Sequence, residues 1–273
     1  NQFKDAENLA LSLIKKFPKH LLSWKILGVV LKNTGRASEA LVANKKALVI
    51  DPQDAESYNN MGNTLHELNR LEEAESIYRQ GITIKPNFAE VYSNLGNVLK
   101  DFGRLVEAEL SYKKAIALKP GYAEAYNNLG AVIKEQGRVE EAFENYEIAI
   151  TLKPNYALAH GNLGDALREM GRLEEATAFY ENAIKIKPDF LEAKHWLSTL
   201  TGVTTNSAPR DYVEKLFDGY ANKFENSLVQ QLGYHIPEII TKMIVSKNPN
   251  DSLGSVIDLG CGTGLAGFEI KEH

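Results

Sequence analysis

Apolar residues recur along this chain at helical spacing, and the spacing itself repeats. Tyr92, Leu95, Gly96 and Leu99 fall at i, i+3, i+4 and i+7, which is one face of a helix. The same face returns in every block of 34 residues, over 21–54, 55–88, 89–122, 123–156 and 157–190. The fourth position of each block is an aromatic residue or His (Trp24, Tyr58, Tyr92, Tyr126, His160), and the seventh is Leu or Met (Leu27, Met61, Leu95, Leu129, Leu163). Glycine follows at once in all of them (Gly28, Gly62, Gly96, Gly130, Gly164). A second apolar stretch carries Ala at the twentieth position and a small residue at the twenty-seventh (Ala47, Gly81, Ala115, Ala149, Ala183), and then comes proline (Pro52, Pro86, Pro120, Pro154, Pro188).

A strict period of this length predicts stacked two-helix units, each too small to bury its apolar face alone. Gly35, Asn69, Gly103, Gly137 and Gly171 should end the first helix, because Gly and Asn tolerate the left-handed backbone that closes a helix. Proline should stop the second. A glycine inside a helix costs about 1 kcal/mol, so the eighth-position glycines and the small residues should lie where the two helices cross with no room for a side chain.

The residues at these offsets resemble the tetratricopeptide repeat. The resemblance implies an all-α fold, a right-handed superhelical solenoid with ten antiparallel helices over 21–190. Residues 1–20 fit the second helix of a further repeat, with Ala6 and Pro18 in register. A half repeat showing Leu9, Leu13 and Phe17 points to continuation upstream. Residues 191–209 start like one more first helix, with Lys194 and Leu197 in place but Ser198 where Gly is expected. They then run into a stretch rich in Thr, Ser, Gly and Pro, which reads as a cap and linker.

From residue 210 the offsets disappear. The stretch to about 245 keeps helical spacing (Val213, Phe217, Tyr220, Phe224), so as bare pattern it suits either another helix pair or a new domain. Val256 and Ile257 then lead as a short strand into Asp258 and the loop Gly260-Cys261-Gly262-Thr263-Gly264, after which a helix is predicted near Leu265. The third glycine is wrongly placed for a dinucleotide fingerprint, and no lysine follows as a P-loop requires. The loop could be a tight turn and nothing more. Asp-Leu-Gly-Cys-Gly-Thr-Gly after a strand also resembles the first motif of class I S-adenosylmethionine-dependent methyltransferases, and the segment before it is similar to that of predicted methyltransferases carrying tetratricopeptide repeats. The resemblance implies that 210–273 is the N-terminal part of such an α/β domain. On it, Asp258 would meet the methionine part of S-adenosylmethionine, Gly260, Gly262 and Gly264 would line its approach, and Tyr220 would lie nearest the cofactor. The second strand, its acidic ribose ligand and all catalytic positions of that family have no counterpart here. This stretch should therefore bind the cofactor weakly and catalyse nothing alone.

In the repeat family, first-helix positions two, five, six, nine, twelve and thirteen line the concave surface. The sixth carries Asn60, Asn94, Asn128 and Asn162, with Ile26 as the exception. Asn63, Asn97 and Asp165 occupy the ninth, and Lys32, His66, Lys100, Lys134 and Arg168 the twelfth. Such amides either keep a face polar or act as a track, since each can both donate to and accept from a peptide bond. Read as a track, they would hold an extended polypeptide, with Lys100, Lys134 and Arg168 favouring acidic partners. The amides would stand outside the core and be removable without loss of fold. A similar ladder occurs in the repeats of O-linked N-acetylglucosamine transferases, which keeps a glycosyltransferase attachment open beside the methyltransferase and a plain interaction scaffold. Paired cations for a carboxylate clamp are missing, because Glu56, Glu90 and Glu124 stand at the second position.

The 273 residues carry a net charge of −5, which argues against general binding to nucleic acid or anionic membrane. One cysteine, Cys261, allows no internal disulfide and suits a reducing compartment such as the cytoplasm. No apolar run approaches the ~20 residues of a membrane span.

Overall fold

A computed structural model of the chain describes residues 2–202. The residues expected at a cofactor, Tyr220, Asp258, Gly260, Gly262 and Gly264, lie outside the described residues, as does the rest of 210–273. Twelve helices and no strand make up the described part. A lone helix α1 (Gln2–Lys16) comes first, followed by five pairs: α2 (Leu21–Asn33) with α3 (Ala37–Ile50), α4 (Ala55–Glu67) with α5 (Leu71–Ile84), and α6 (Ala89–Asp101) with α7 (Leu105–Leu118). Then come α8 (Ala123–Glu135) with α9 (Val139–Leu152), α10 (Ala157–Glu169) with α11 (Leu173–Ile186), and a last helix α12 (Leu191–Thr201). The five pairs are the five sequence blocks.

Each helix packs chiefly on its neighbours in sequence, as a solenoid requires. First helices of successive repeats also meet (α2 with α4, α4 with α6, α6 with α8, α8 with α10), which second helices do not do to that extent. The stack is thus tighter along the first helices, and they form its inner face. Between the pair members the turn is the expected one. Gly35, Asn69, Gly103, Gly137 and Gly171 have φ of 76°, 55°, 72°, 82° and 75°, and the next amide reaches back to the last turn of the first helix (Arg36 to Leu31, Arg70 to Leu65, Arg104 to Leu99, 2.9 Å each). Proline does more than stop the second helix. Its carbonyl accepts from the next fourth-position side chain: Trp24 to Pro18 at 2.8 Å, Tyr92 to Pro86 at 3.2 Å and His160 to Pro154 at 2.9 Å.

The eighth-position glycines are explained differently from the expectation of two bare backbones crossing. A tyrosine ring from the second helix lies on each of four of them. A methyl group on Gly96 would stand 2.7 Å from the Tyr112 ring, on Gly130 2.7 Å from Tyr146 and on Gly164 2.8 Å from Tyr180. Tyr78, Tyr112, Tyr146 and Tyr180 are all fully buried and are the largest side chains in the core. Close approach of the helices themselves occurs at the twenty-seventh position instead, where a methyl group on Gly81 would meet Tyr58 Cβ at 3.1 Å.

Charge pairs run from repeat to repeat across the second helices. Arg36 holds Glu39 at 2.7 Å and Glu7 of the preceding unit at 2.6 Å. Arg104 does the same with Glu107 and Glu75, both at 2.7 Å, and Arg138 with Glu141 and, at 2.9 Å, Glu109. Exposed pairs contribute little singly. Glu109 is the most enclosed of these carboxylates. Burial works to raise its pKa, but hydrogen bonds from Lys113, Arg138 and Gln136 prevail and hold it at about 2, below an ordinary value of 4.5. A folded-state pKa below the unfolded one adds stability that is complete above the unfolded value and is lost as pH falls toward the folded one. Urea midpoints should therefore drop between about pH 4.5 and pH 2, and less steeply for Glu109→Gln than for the wild type; equal slopes would remove Glu109 from the account.

Candidate functional site: the inner face of the solenoid

The inner face holds a seam of side-chain amides. Asn94 Nδ2 donates to Asn59 Oδ1 at 2.8 Å, Asn128 Nδ2 to Asn97 Oδ1 at 3.1 Å, and Asn162 Nδ2 to Asn127 Oδ1 at 2.9 Å. Each of these bonds runs back to the preceding repeat. Three of the four sixth-position amides therefore hold neighbouring repeats together, and the expectation that they could be removed freely is corrected. All four, Asn60 included, are half-buried and retain polar atoms toward the inner surface.

The ninth position faces inward across its own repeat. Tyr78 donates to Asn63 Oδ1 at 2.7 Å, Tyr112 to Asn97 Oδ1 at 2.7 Å and Tyr180 to Asp165 Oδ1 at 2.6 Å. A buried phenol needs such an acceptor. Burial drives the Tyr78 and Tyr112 hydroxyls far above the ordinary tyrosine range, so they act as donors only.

The twelfth-position cations are not free to greet an acidic partner. Lys32 lies 3.8 Å from Glu67, His66 2.7 Å from Asp101, Lys100 3.9 Å from Glu135 and Lys134 3.4 Å from Glu169. Each pairs with the thirteenth residue of the following repeat. Lys134 is also 3.7 Å from Asp165. Arg168 closes the row, with its guanidinium 3.9 Å from the centre of the Trp196 ring. A preference for acidic peptides loses its basis at Lys100 and Lys134, whose charge is already matched.

The sequence reading missed three groups that shape this face: the buried tyrosines, the acceptors Asn59 and Asn127, and the thirteenth-position acids Glu67, Asp101, Glu135 and Glu169. All are visible as spacings. Tyr78, Tyr112, Tyr146 and Tyr180 recur at the 34-residue period, and the cation–acid pairs lie one period plus one residue apart. Among the described residues there is no His, Cys, Asp and Glu cluster able to hold a metal ion, and no helix is long and apolar enough to cross a membrane.

A stack of helix pairs with a polar inner face and nothing catalytic among its described residues defines a repeat solenoid protein. Tetratricopeptide repeat models match residues 1–55, 43–76 and 121–189, and a model described as TPR repeat matches 62–103 and 96–137. With 1–189 matched throughout, the chain belongs to the tetratricopeptide repeat family. Among solved structures it is similar to MamA at 28% identity, covering 59% of this chain and 95% of that one, with a TM-score of 0.52. YrrB, titled a tetratricopeptide protein with an unusual peptide-binding site, shares the fold at 22% identity, 68% and 96% coverage and a TM-score of 0.51. A thermophilic tetratricopeptide protein of Thermus thermophilus shares it at 24% identity, 66% and 98% coverage and a TM-score of 0.57. No curated protein matches in sequence.

Proposed function

We propose that this chain is a cytoplasmic interaction scaffold whose inner face holds an extended polypeptide along Asn60, Asn94, Asn128 and Asn162. The observation that carries this reading is the amide seam. A hydrogen-bonded amide whose remaining donor and acceptor sites face the inner surface, repeated at a fixed interval, suits a partner with a repeating backbone. Asn63, Asn97, Lys100, Lys134 and Arg168 frame the same face, and the likeness to a fold that in YrrB carries a peptide-binding site supports the same class of partner. A net hydrogen bond contributes about 0.5–1.5 kcal/mol, so four amides give roughly 2–6 kcal/mol before the ordering of the peptide is counted. Binding should be weak and tolerant of sequence.

The test uses peptides selected on the wild-type chain from a random dodecapeptide library. Replacing all four Asn by Ala should weaken their binding by about tenfold or more, and should also lower the melting midpoint modestly through the lost seam bonds. Affinity must be compared at a temperature where circular dichroism shows both chains folded. Unchanged affinity there would make the seam purely structural.

We further propose that residues 210–273 belong to the N-terminal part of an S-adenosylmethionine-dependent methyltransferase domain to which the scaffold brings its polypeptide. Asp258 with Gly260, Gly262 and Gly264 after a predicted strand supports this, and Tyr220 is assigned to the same site. In equilibrium dialysis at millimolar S-adenosylmethionine, Asp258→Ala should retain less cofactor than the wild type; equal retention would overturn the assignment. A glycosyltransferase attachment has only the Asn ladder in its favour.

A further inference from the structure

One phenol in the core has no acceptor. In the repeats formed by α4–α5, α6–α7 and α10–α11, the buried tyrosine is served by Asn63, Asn97 or Asp165 at the ninth position. In the repeat formed by α8–α9 the tyrosine is kept and the acceptor is gone, because Ala131 stands at that position. Tyr146 is fully buried and its hydroxyl finds no hydrogen-bond partner. The first repeat shows the alternative in which both residues change together. There Val29 replaces the acceptor and Asn44 replaces the tyrosine, and the Asn44 amide donates to Thr64 Oγ1 at 2.9 Å and to the Asn60 carbonyl at 3.2 Å.

The Tyr146 ring rests on Gly130 as Tyr112 does on Gly96, with the same 2.7 Å clearance, so its hydroxyl has the same aim toward the ninth position. What Asn97 fills with a carboxamide, Ala131 leaves as a recess one carboxamide deep. Asn128 flanks it at the sixth position and Lys134 at the twelfth, and both belong to the inner face. We propose that this recess is the specificity subsite of the peptide groove, and that it takes a carboxamide side chain, Asn or Gln, of the bound polypeptide, whose oxygen accepts from Tyr146. A carboxylate is a poorer occupant, since Asp165, Glu169 and Glu135 all act on this hydroxyl and Asp165 lies beside Lys134. The proposal rests on the groove being a polypeptide site and adds which side chain it selects and where.

The experiment repeats the dodecapeptide selection and then measures the wild-type-selected pool on three variants. The selected peptides should share an Asn or Gln at one position. Ala131→Asn fills the recess and supplies the acceptor from within, so the chain should melt about 3 °C higher and bind the pool about tenfold more weakly. Tyr146→Phe removes the donor; it should bind about tenfold more weakly without melting lower. Tyr112→Phe serves as control, because that hydroxyl is already engaged by Asn97, and its affinity should stay near wild type. Peptides without a shared carboxamide, or a pool that binds Ala131→Asn and Tyr146→Phe as tightly as the wild type, overturn the subsite. If the quadruple Asn variant loses affinity while these two keep it, only the subsite fails. Capture of no peptide at all defeats the groove itself and this inference with it.

Discussion

Gly130→Val should leave the fourth repeat unable to close. The first methyl group would sit 2.7 Å from Tyr146 Cε1 and 2.9 Å from Cδ1, where carbon atoms settle near 3.5–4.0 Å. The ring cannot step aside, because Tyr146 is fully buried between its own first helix and the next repeat. Alanine alone would gain about 1 kcal/mol of helix propensity and lose about 1–3 kcal/mol to overpacking. Valine adds two more carbons and a stiff χ1, so a loss of about 3 kcal/mol or more is expected. Hydrogen exchange should show α8 and α9 opening while α2 to α5 stay protected. Gly130→Val combined with Tyr146→Ala should recover part of the loss by vacating the space. A single variant that melts like the wild type would mean that the ring does not rest on this glycine.

How much of this was legible follows from what repeats and what pairs. The helix pairs, their turns at Gly35 and Asn69 and the inner placement of Asn94 and Lys100 could be read from the period, because backbone limits and apolar spacing act locally. The use of each hydrogen could not. Asn128 looks equally able to hold a partner or Asn97, and only coordinates show that one donor is spent on the neighbouring repeat. Lys134 looks cationic until Glu169, 35 residues on, is found beside it. The reason for the eighth-position glycine was misread for a related cause. A small residue announces close approach without naming what approaches, and here it is a side chain, Tyr112 or Tyr146, rather than a backbone. Once that partner is known, Ala131 becomes informative, as the one place where a buried tyrosine among the described residues keeps its ring and loses its acceptor.

Tyr112→Ala is expected to cost the most of any single truncation and to change the form of unfolding as well as its midpoint. The side chain is fully buried and sits on Gly96 in the third of five repeats, joined to Asn97, which in turn accepts from Asn128 of the fourth. Removing an aromatic ring from a core costs about 3–5 kcal/mol, far above the ~1 kcal/mol expected of Tyr112→Phe, which loses only the hydroxyl and leaves Asn97 short of a donor. In a stack whose stability is a sum of repeats and nearest-neighbour seams, a weak centre uncouples the two ends. Urea unfolding should then separate into two steps, with α1 to α5 and α8 to α12 losing protection at different concentrations. The same truncation at Tyr180, one repeat from the end of the stack, should lower one step and leave the rest cooperative. If Tyr112→Ala unfolds in a single transition shifted as a whole, coupling between repeats runs through more than this core contact and the Asn97 to Asn128 seam, and the helix packing beyond them must carry it.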